Sequence, residues 1–384
     1  MTAQRPRVAL VQRCVPHYNL VLYQKLLASS RYDWEFIYGG HAGGDESGLA
    51  ADAASVLPTR VIRNMAIGKA IWQRDVTHWL RQQRYDAVVF ELGWQIISNV
   101  MLIRTAHQLG TVVVPWTKGI AESGRRRPKW RQWMERAFIR HCDALLVYGQ
   151  VSADYFQAYG YSPRRIFIAQ NTVDVRRIVD GIPADRQRAG ELRAQFGFKN
   201  EIVIGHLGRL VPQKHVDWII EAFARAHAGG LNVRLIIAGD GPERAALEAL
   251  AQGSGAGPAI RFCGRISEKD VGAYFQMFDV FVSAYSAGLA ILEAMAHGKI
   301  TVITPESRPE TELVQDNVTG IITQDYSIPA LADGLRRAVD RVSRGDAIGG
   351  EAQRVVLNRA TMEKMVEAFD QSIECALERK VSKK

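Results

Sequence analysis

Short, nearly continuous apolar runs alternate with amphipathic helical stretches, and this pattern occurs twice within 384 residues. The first half carries runs at Val8–Val11, Trp34–Tyr38, Ala87–Phe90, Thr111–Val114, Ala144–Val147 and Ile166–Ile168. The second carries Ile202–Leu207, Val233–Ala238, Ile260–Phe262, Val280–Val282 and Ile300–Ile303. A strand that is apolar on both faces must be covered on both faces, the condition of a parallel sheet between layers of helix. Two such sets predict an α/β chain of two doubly wound, Rossmann-like domains, and the length is too great for one ordinary core. The pattern assigns residues 1–180 to one domain and 181–360 to the other. Gly181, Ile182 and Pro183 supply linker chemistry ahead of a helix starting near Asp185. A long amphipathic helix, about 361–384, ends the chain and is placed to fold back onto the first domain.

No window approaches the roughly 18 uninterrupted apolar residues of a spanning helix, and the apolar run within Met1 to Gln12 is far too short to read as a secretory leader. The four cysteines, Cys14, Cys142, Cys263 and Cys375, form no CxxC pair and read as thiols of a reducing compartment. The expected place is the cytoplasm. Charge is lopsided: residues 1–180 hold 24 Lys/Arg against 14 Asp/Glu, and residues 181–384 hold 25 against 26. The first half therefore faces an anionic partner: a phospholipid surface, a lipid-pyrophosphate acceptor or a nucleic acid.

The most telling stretch is Gly205-His206-Leu207-Gly208-Arg209-Leu210-Val211-Pro212-Gln213-Lys214. An apolar strand ends in Gly208, two cations follow, and a helix begins near His215. A glycine admits a diphosphate to the backbone, cations offset its charge, and the helix's first amides add donors. The segment reads either so or as a loop with solvated cations. Gly239-Asp240-Gly241-Pro242-Glu243 is a strand-to-helix turn with structural glycines, Asp240 or Gly241 capping the helix. Arg265 and Ile266 precede a helix capped by Ser267, where main-chain groups can clasp a flat base. Ser286, Ala287, Gly288 and Leu289 expose amides before a helix whose Glu293 lies in an apolar stretch, where a carboxylate needs partners. Glu293 is suited to ribose hydroxyls. A diphosphate grip and a ribose grip together mean a nucleotide, and most simply a nucleotide sugar.

These motifs, with Asn171-Thr172-Val173-Asp174 before the linker and Asn317-Val318-Thr319-Gly320 beyond, resemble the retaining glycosyltransferases of family 4 across residues 201–325. The resemblance implies the GT-B fold, two Rossmann-like domains facing a central cleft. It implies that Arg209 and Lys214 bind the diphosphate of a UDP-, GDP- or dTDP-linked sugar and Glu293 its ribose. It also implies transfer with retention, without metal or prosthetic group, the donor phosphate helping to deprotonate the acceptor. One departure is Tyr285, where many members carry a second glutamate. Another is Val114-Pro115-Trp116-Thr117-Lys118-Gly119, where members often present a histidine; Lys118 either neutralises phosphate charge or is an ordinary loop lysine.

In the first half, His17, Tyr18 and Glu91 sit at strand ends and are acceptor candidates. The run from Arg125 opens a helix with Trp130, Trp133, Met134, Ala137 and Phe138 on one stripe and Lys129, Arg131, Arg136 and Arg140 elsewhere. It reads as a core-facing helix or as one lying in a membrane interface. The expectation is a transferase of glycan, glycolipid or small-molecule acceptors, as in polysaccharide biosynthesis, peripheral on the inner membrane face and without nucleic-acid partners. The alternative is a catalytically silent GT-B-like partner subunit or glycan-binding protein.

Overall fold

In a computed structural model, which describes residues 5–29, 31–40, 57–68, 70–93, 95–119, 129–285, 288–305 and 308–382, the strands gather into two sheets. The first contains β1 (Arg7–Gln12), β2 (Asp33–Gly40), β3 (Thr59–Ile67), β4 (Ala70–Gln73), β5 (Ala87–Glu91), β6 (Val112–Thr117), β7 (Leu145–Val147) and β8 (Ile166–Ile168). Their order is β4-β3-β2-β1-β5-β6-β7-β8, parallel except for the β3–β4 hairpin. The second contains β9 (Ile202–Leu207), β10 (Val233–Ala238), β11 (Ile260–Gly264), β12 (Val280–Ser283), β13 (Ile300–Ile303) and β14 (Ile321–Ile322), ordered β11-β10-β9-β12-β13-β14 and parallel throughout. β3, β4 and β14 are additions to the strands expected from sequence.

The chain divides into Met1–Asn171 with Met362–Lys384, and Thr172–Thr361. The first unit is completed by the helix Met362–Ser382. Phe369 on it meets Trp116 of β6 at 5.1 Å and Trp34 of β2 at 6.3 Å, and Lys25 reaches Glu363 at 2.9 Å. In the second unit apolar residues cover both faces of the sheet. Ile204, Leu235, Val282 and Phe223 lie in one layer, and Val203, Ile236, Phe281 and Phe275 in the other.

The join differs from the expectation at residues 180 and 181. Gly181, Ile182 and Pro183 lie inside the continuous helix Val175–Gln195, as does Asp185, and the break falls at Asn171. Pro183 leaves one helical carbonyl without its donor, a cost of up to about 3 kcal/mol in a helix interior. Val175, Ile182, Ala189 and Leu192 on one buried face outweigh it. The Asp174 carboxylate caps the helix by accepting from the Arg177 amide at 3.3 Å. Tertiary burial has overridden linker-like local chemistry.

Candidate functional site

The strand order of the second unit reverses at β9. From there the chain runs outward through β10 and β11, then returns to the other side of β9 for β12, β13 and β14. Connections leaving the carboxyl ends of β9 and β12 thus diverge, and in open α/β sheets such a switch point opens a crevice suited to ligands. β9 leads into Gly208 and Arg209, the 3-10 turn Pro212–Lys214 and the helix Val216–His227. β12 leads through Tyr285 and Gly288 into the helix Ala290–Ala296.

The β9 lip is braced by its neighbour. The Gly208 amide donates to the Ala238 carbonyl at 3.0 Å, Leu210 to Asp240 at 2.9 Å and Glu243 to Leu210 at 3.1 Å. Gly239 has φ 141°, and a Cβ on it would collide with the Gly208 carbonyl; one on Gly241 would collide with that of Leu210. These glycines allow two backbones to cross at the mouth of the sheet. The Gly239 amide also donates to Gly264 at 2.8 Å, which ties in the end of β11.

Lys214 and Gly288 close the switch point from its two sides. The Lys214 ammonium lies 3.8 Å from where a Cβ on Gly288 would stand, and Gly288 has φ 60°. Arg209 is exposed and Lys214 half-buried. Glu293 is half-buried in the first turn of its helix; burial pushes its pKa up to about 7, with repulsion from Asp185 adding to the effect. Beneath the lip, His206 is buried, and its Nδ1 donates to the Val282 carbonyl at 3.0 Å. Burial holds it near pKa 4; the Val282 bond opposes this and the Lys214 charge reinforces it. The ring is therefore neutral at pH 7.

Tyr285 sits among aromatic and cationic groups. The Arg308 guanidinium lies 5.0 Å over its ring, the His215 ring meets it edge-on at 5.7 Å, and Tyr326 is 6.2 Å away. The sequence identified the substitution at Tyr285 but not these neighbours, because Arg308 and Tyr326 come from after β13 and β14. The buried place of His206 beneath the lip was not read either, although a histidine within an otherwise apolar strand is a visible signal.

The remaining predicted residues lie elsewhere. Arg265 and Ile266 follow β11 at the sheet edge, two strands from β9. Ser286 and Ala287 fall outside the described residues. Tyr18, exposed, follows β1, and the His17 backbone lies in the same 3-10 turn. Glu91 ends β5 and accepts from the Arg13 amide at 3.1 Å, which joins the ends of β1 and β5, where the order of the first sheet also reverses. Lys118 follows β6, its ammonium 5.9 Å over the Tyr148 ring. Two expected caps do not form: Asp240 turns onto the Gly241 amide at 2.8 Å, and Ser267 makes no side-chain cap bond. The basic helix is observed over Lys129–Ile139; Ile139 is buried and Phe138 half-buried, but Trp133 and Met134 face outward, so the expected stripe is split.

Known proteins match this chain in both units. The family model described as glycosyl transferases group 1 matches residues 189–354, and that described as a glycosyl transferase 4-like domain matches residues 22–172. The alpha-D-kanosaminyltransferase of Streptomyces kanamyceticus is 26% identical over 218 residues, 54% of each chain. A GDP-mannose-dependent alpha-(1-6)-phosphatidylinositol dimannoside mannosyltransferase of Mycobacterium tuberculosis is 34% identical over 187 residues, 46% of each. The chain spans about half the length of the curated relatives it matches. Among solved structures, Anabaena HepE in complex with UDP superimposes with a TM-score of 0.75 at 18% identity, covering 96% of this chain and 99% of that one, a likeness of fold. Both sheets thus have the Rossmann-like form of GT-B proteins, and the two family models identify residues 189–354 as a domain of the glycosyl transferases of group 1 and residues 22–172 as a glycosyl transferase 4-like domain.

Proposed function

We propose that the chain transfers a sugar from a nucleotide-sugar donor to a glycan, glycolipid or small-molecule acceptor, with retention at the anomeric carbon. The observation that carries this reading is the meeting of Lys214 and Gly288 across the strand-order switch, with Glu293 just beyond. A diphosphate needs a cation and close main-chain approach, and the two lips offer both. Arg209 and Lys214 bind the diphosphate and neutralise the charge that develops as its bond to the sugar breaks. Glu293, as carboxylate, accepts from ribose hydroxyls. A phosphate oxygen of the donor takes the proton of the acceptor hydroxyl, so no protein base is required in this reading. HepE was solved with UDP and with UDP-glucose, and the mycobacterial relative's name specifies GDP-mannose; a nucleoside diphosphate sugar is common to both. His17, Tyr18 and Glu91 are the acceptor-side groups, and Lys118 is a further cation for the developing phosphate charge. A lipid-borne acceptor would bring the basic first unit to an anionic membrane surface.

The test is a thermal-shift panel of UDP-, GDP- and dTDP-sugars. A ligand that binds only the native state stabilises it by RT ln(1 + [L]/Kd). One nucleotide class should raise the melting temperature of the wild type, and Lys214→Ala should lose most of that shift. A panel in which no nucleotide sugar stabilises the protein overturns the reading.

A further inference from the structure

The β3–β4 hairpin carries an outer face that the transferase reading leaves unused. Strand periodicity puts Val61, Arg63, Met65 and Ile67 on one side of β3, and all four are exposed, Val61 at 59% and Ile67 at 56%. The loop after β5 is stitched to this hairpin: the Ile71 amide donates to the Gln95 carbonyl at 2.7 Å and the Ile97 amide to the Ile71 carbonyl at 3.1 Å. Ile97 is thereby held beside the hairpin, with Val100 and Met101 following in the first turn of the helix Asn99–Gln108. All three are exposed, Val100 at 61%. Exposed Arg63, Arg74 and Arg104 flank them. No acidic residue occurs from Thr59 to Arg74 or from Leu92 to Ala121. Clustered large aliphatics beside exposed cations mark an interaction surface.

We propose that this hairpin and helix-start surface docks on an anionic phospholipid membrane. Met65, Ile67, Ile97, Val100 and Met101 enter the headgroup boundary, and Arg63, Arg74 and Arg104 face lipid phosphates. Charge selects this occupant. A second copy would set arginines against arginines on a half already holding 24 Lys/Arg against 14 Asp/Glu. A nucleic acid would leave these exposed aliphatics without an apolar partner, whereas a bilayer boundary also accommodates half-buried Trp72, which pairs with Met65 across the hairpin. The inference extends the reading of a membrane-borne acceptor, but vesicle binding requires neither donor nor acceptor, so its failure would leave the nucleotide-sugar panel standing.

The experiment is co-sedimentation of the full chain with vesicles of phosphatidylglycerol and phosphatidylcholine, and with phosphatidylcholine alone. Binding should require phosphatidylglycerol and weaken with salt. Val100→Asp and Met101→Ser, both at exposed positions, should each lower partitioning at least tenfold with the melting temperature unchanged. Arg63→Gln should cost roughly fivefold. Trp133→Ser, on a separate helix, serves as comparator. Absence of binding to phosphatidylglycerol vesicles overturns the proposal. So does undiminished binding of Met101→Ser, loss of binding in Trp133→Ser alone, or a dimer that Val100→Asp splits.

Discussion

Among the described residues the second unit leaves two large apolar side chains exposed, Val318 and Tyr326, whereas the first leaves twelve, from Tyr18 to Val381. Both units are doubly wound parallel sheets with a reversal of strand order beside the first strand. The second has nearly balanced charge, and its strand ends are locked backbone to backbone at Gly208, Gly239 and Gly264. The first is basic, has an antiparallel hairpin on its edge and depends on the far end of the chain for part of its core. One architecture thus carries two surface regimes. A rigid mouth suits a ligand of fixed chemistry such as a diphosphate. An adhesive surface suits a large, extended partner.

The comparison is broken most severely at Phe369. This side chain is fully buried against Trp116 and Trp34, and Phe→Ala in a core costs about 3–5 kcal/mol. Phe369→Ala should destabilise the first unit by that amount, seen as faster amide exchange in β6 and β2, with exchange in β9 and β12 unchanged. Equal loss of protection in both units would mean that they do not unfold separately.

Next in size is the contrast between two lysines. Lys214 stands at the switch point of the second sheet, and Lys118 follows β6 of the first with its ammonium over Tyr148. Removing a preorganised group that stabilises developing charge typically costs about 10²–10³ in turnover. Lys214→Ala should lose transfer on that scale, and Lys118→Ala no more than about tenfold. Steady-state assays with the stabilising nucleotide sugar decide it, and the reverse ranking would move the charge-neutralising role to the first unit.

How much of this was legible in the sequence depends on which residues are considered. Strands such as Ile202–Leu207 were legible because burial on both faces demands an unbroken apolar run. β3 was not: Ile62 is buried while Val61, Arg63 and Met65 are wet, so an edge strand loses the signal that burial imposes. Gly239 and Gly241 could be read as turn glycines, but the backbone they make room for lies some 30 residues earlier and is visible only in three dimensions. Gly181 and Pro183 misled because their local chemistry competes with a buried helix face. Glu293 was recognisable as a carboxylate in apolar company; its neighbour Asp185, more than 100 residues away in sequence, was not.

The raised pKa of Glu293 makes the mouth of the second unit pH-sensitive. A carboxyl group at about 7 when folded and at its ordinary 4.5 when unfolded binds more protons in the folded state between those values. Folding stability contributed by the group is therefore lost as pH rises from 4.5 to about 7, and is flat above. Glu293→Gln should lack that slope. If only the carboxylate holds the ribose, the wild-type to Glu293→Gln ratio of nucleotide affinity should rise up to tenfold per pH unit below about 7 and then level off. Calorimetric titrations from acid to neutral pH check this, and a flat ratio removes Glu293 from the ribose.

The smallest effect separates backbone strain from site geometry. Gly288 of the second unit has φ 60° and Gly160 of the first φ 81°, a region that costs an L-residue roughly 1–2 kcal/mol. A Cβ on Gly160 meets open space, whereas one on Gly288 meets the Lys214 ammonium at 3.8 Å. Gly160→Ala and Gly288→Ala should therefore lower stability by similar amounts in thermal melts. Only Gly288→Ala should also weaken nucleotide affinity, by a few-fold, because the added methyl partly desolvates the ammonium and narrows the approach of a diphosphate. If both substitutions leave nucleotide affinity untouched, the diphosphate does not pass between Lys214 and Gly288, and the locked strand ends of the second unit serve its packing alone.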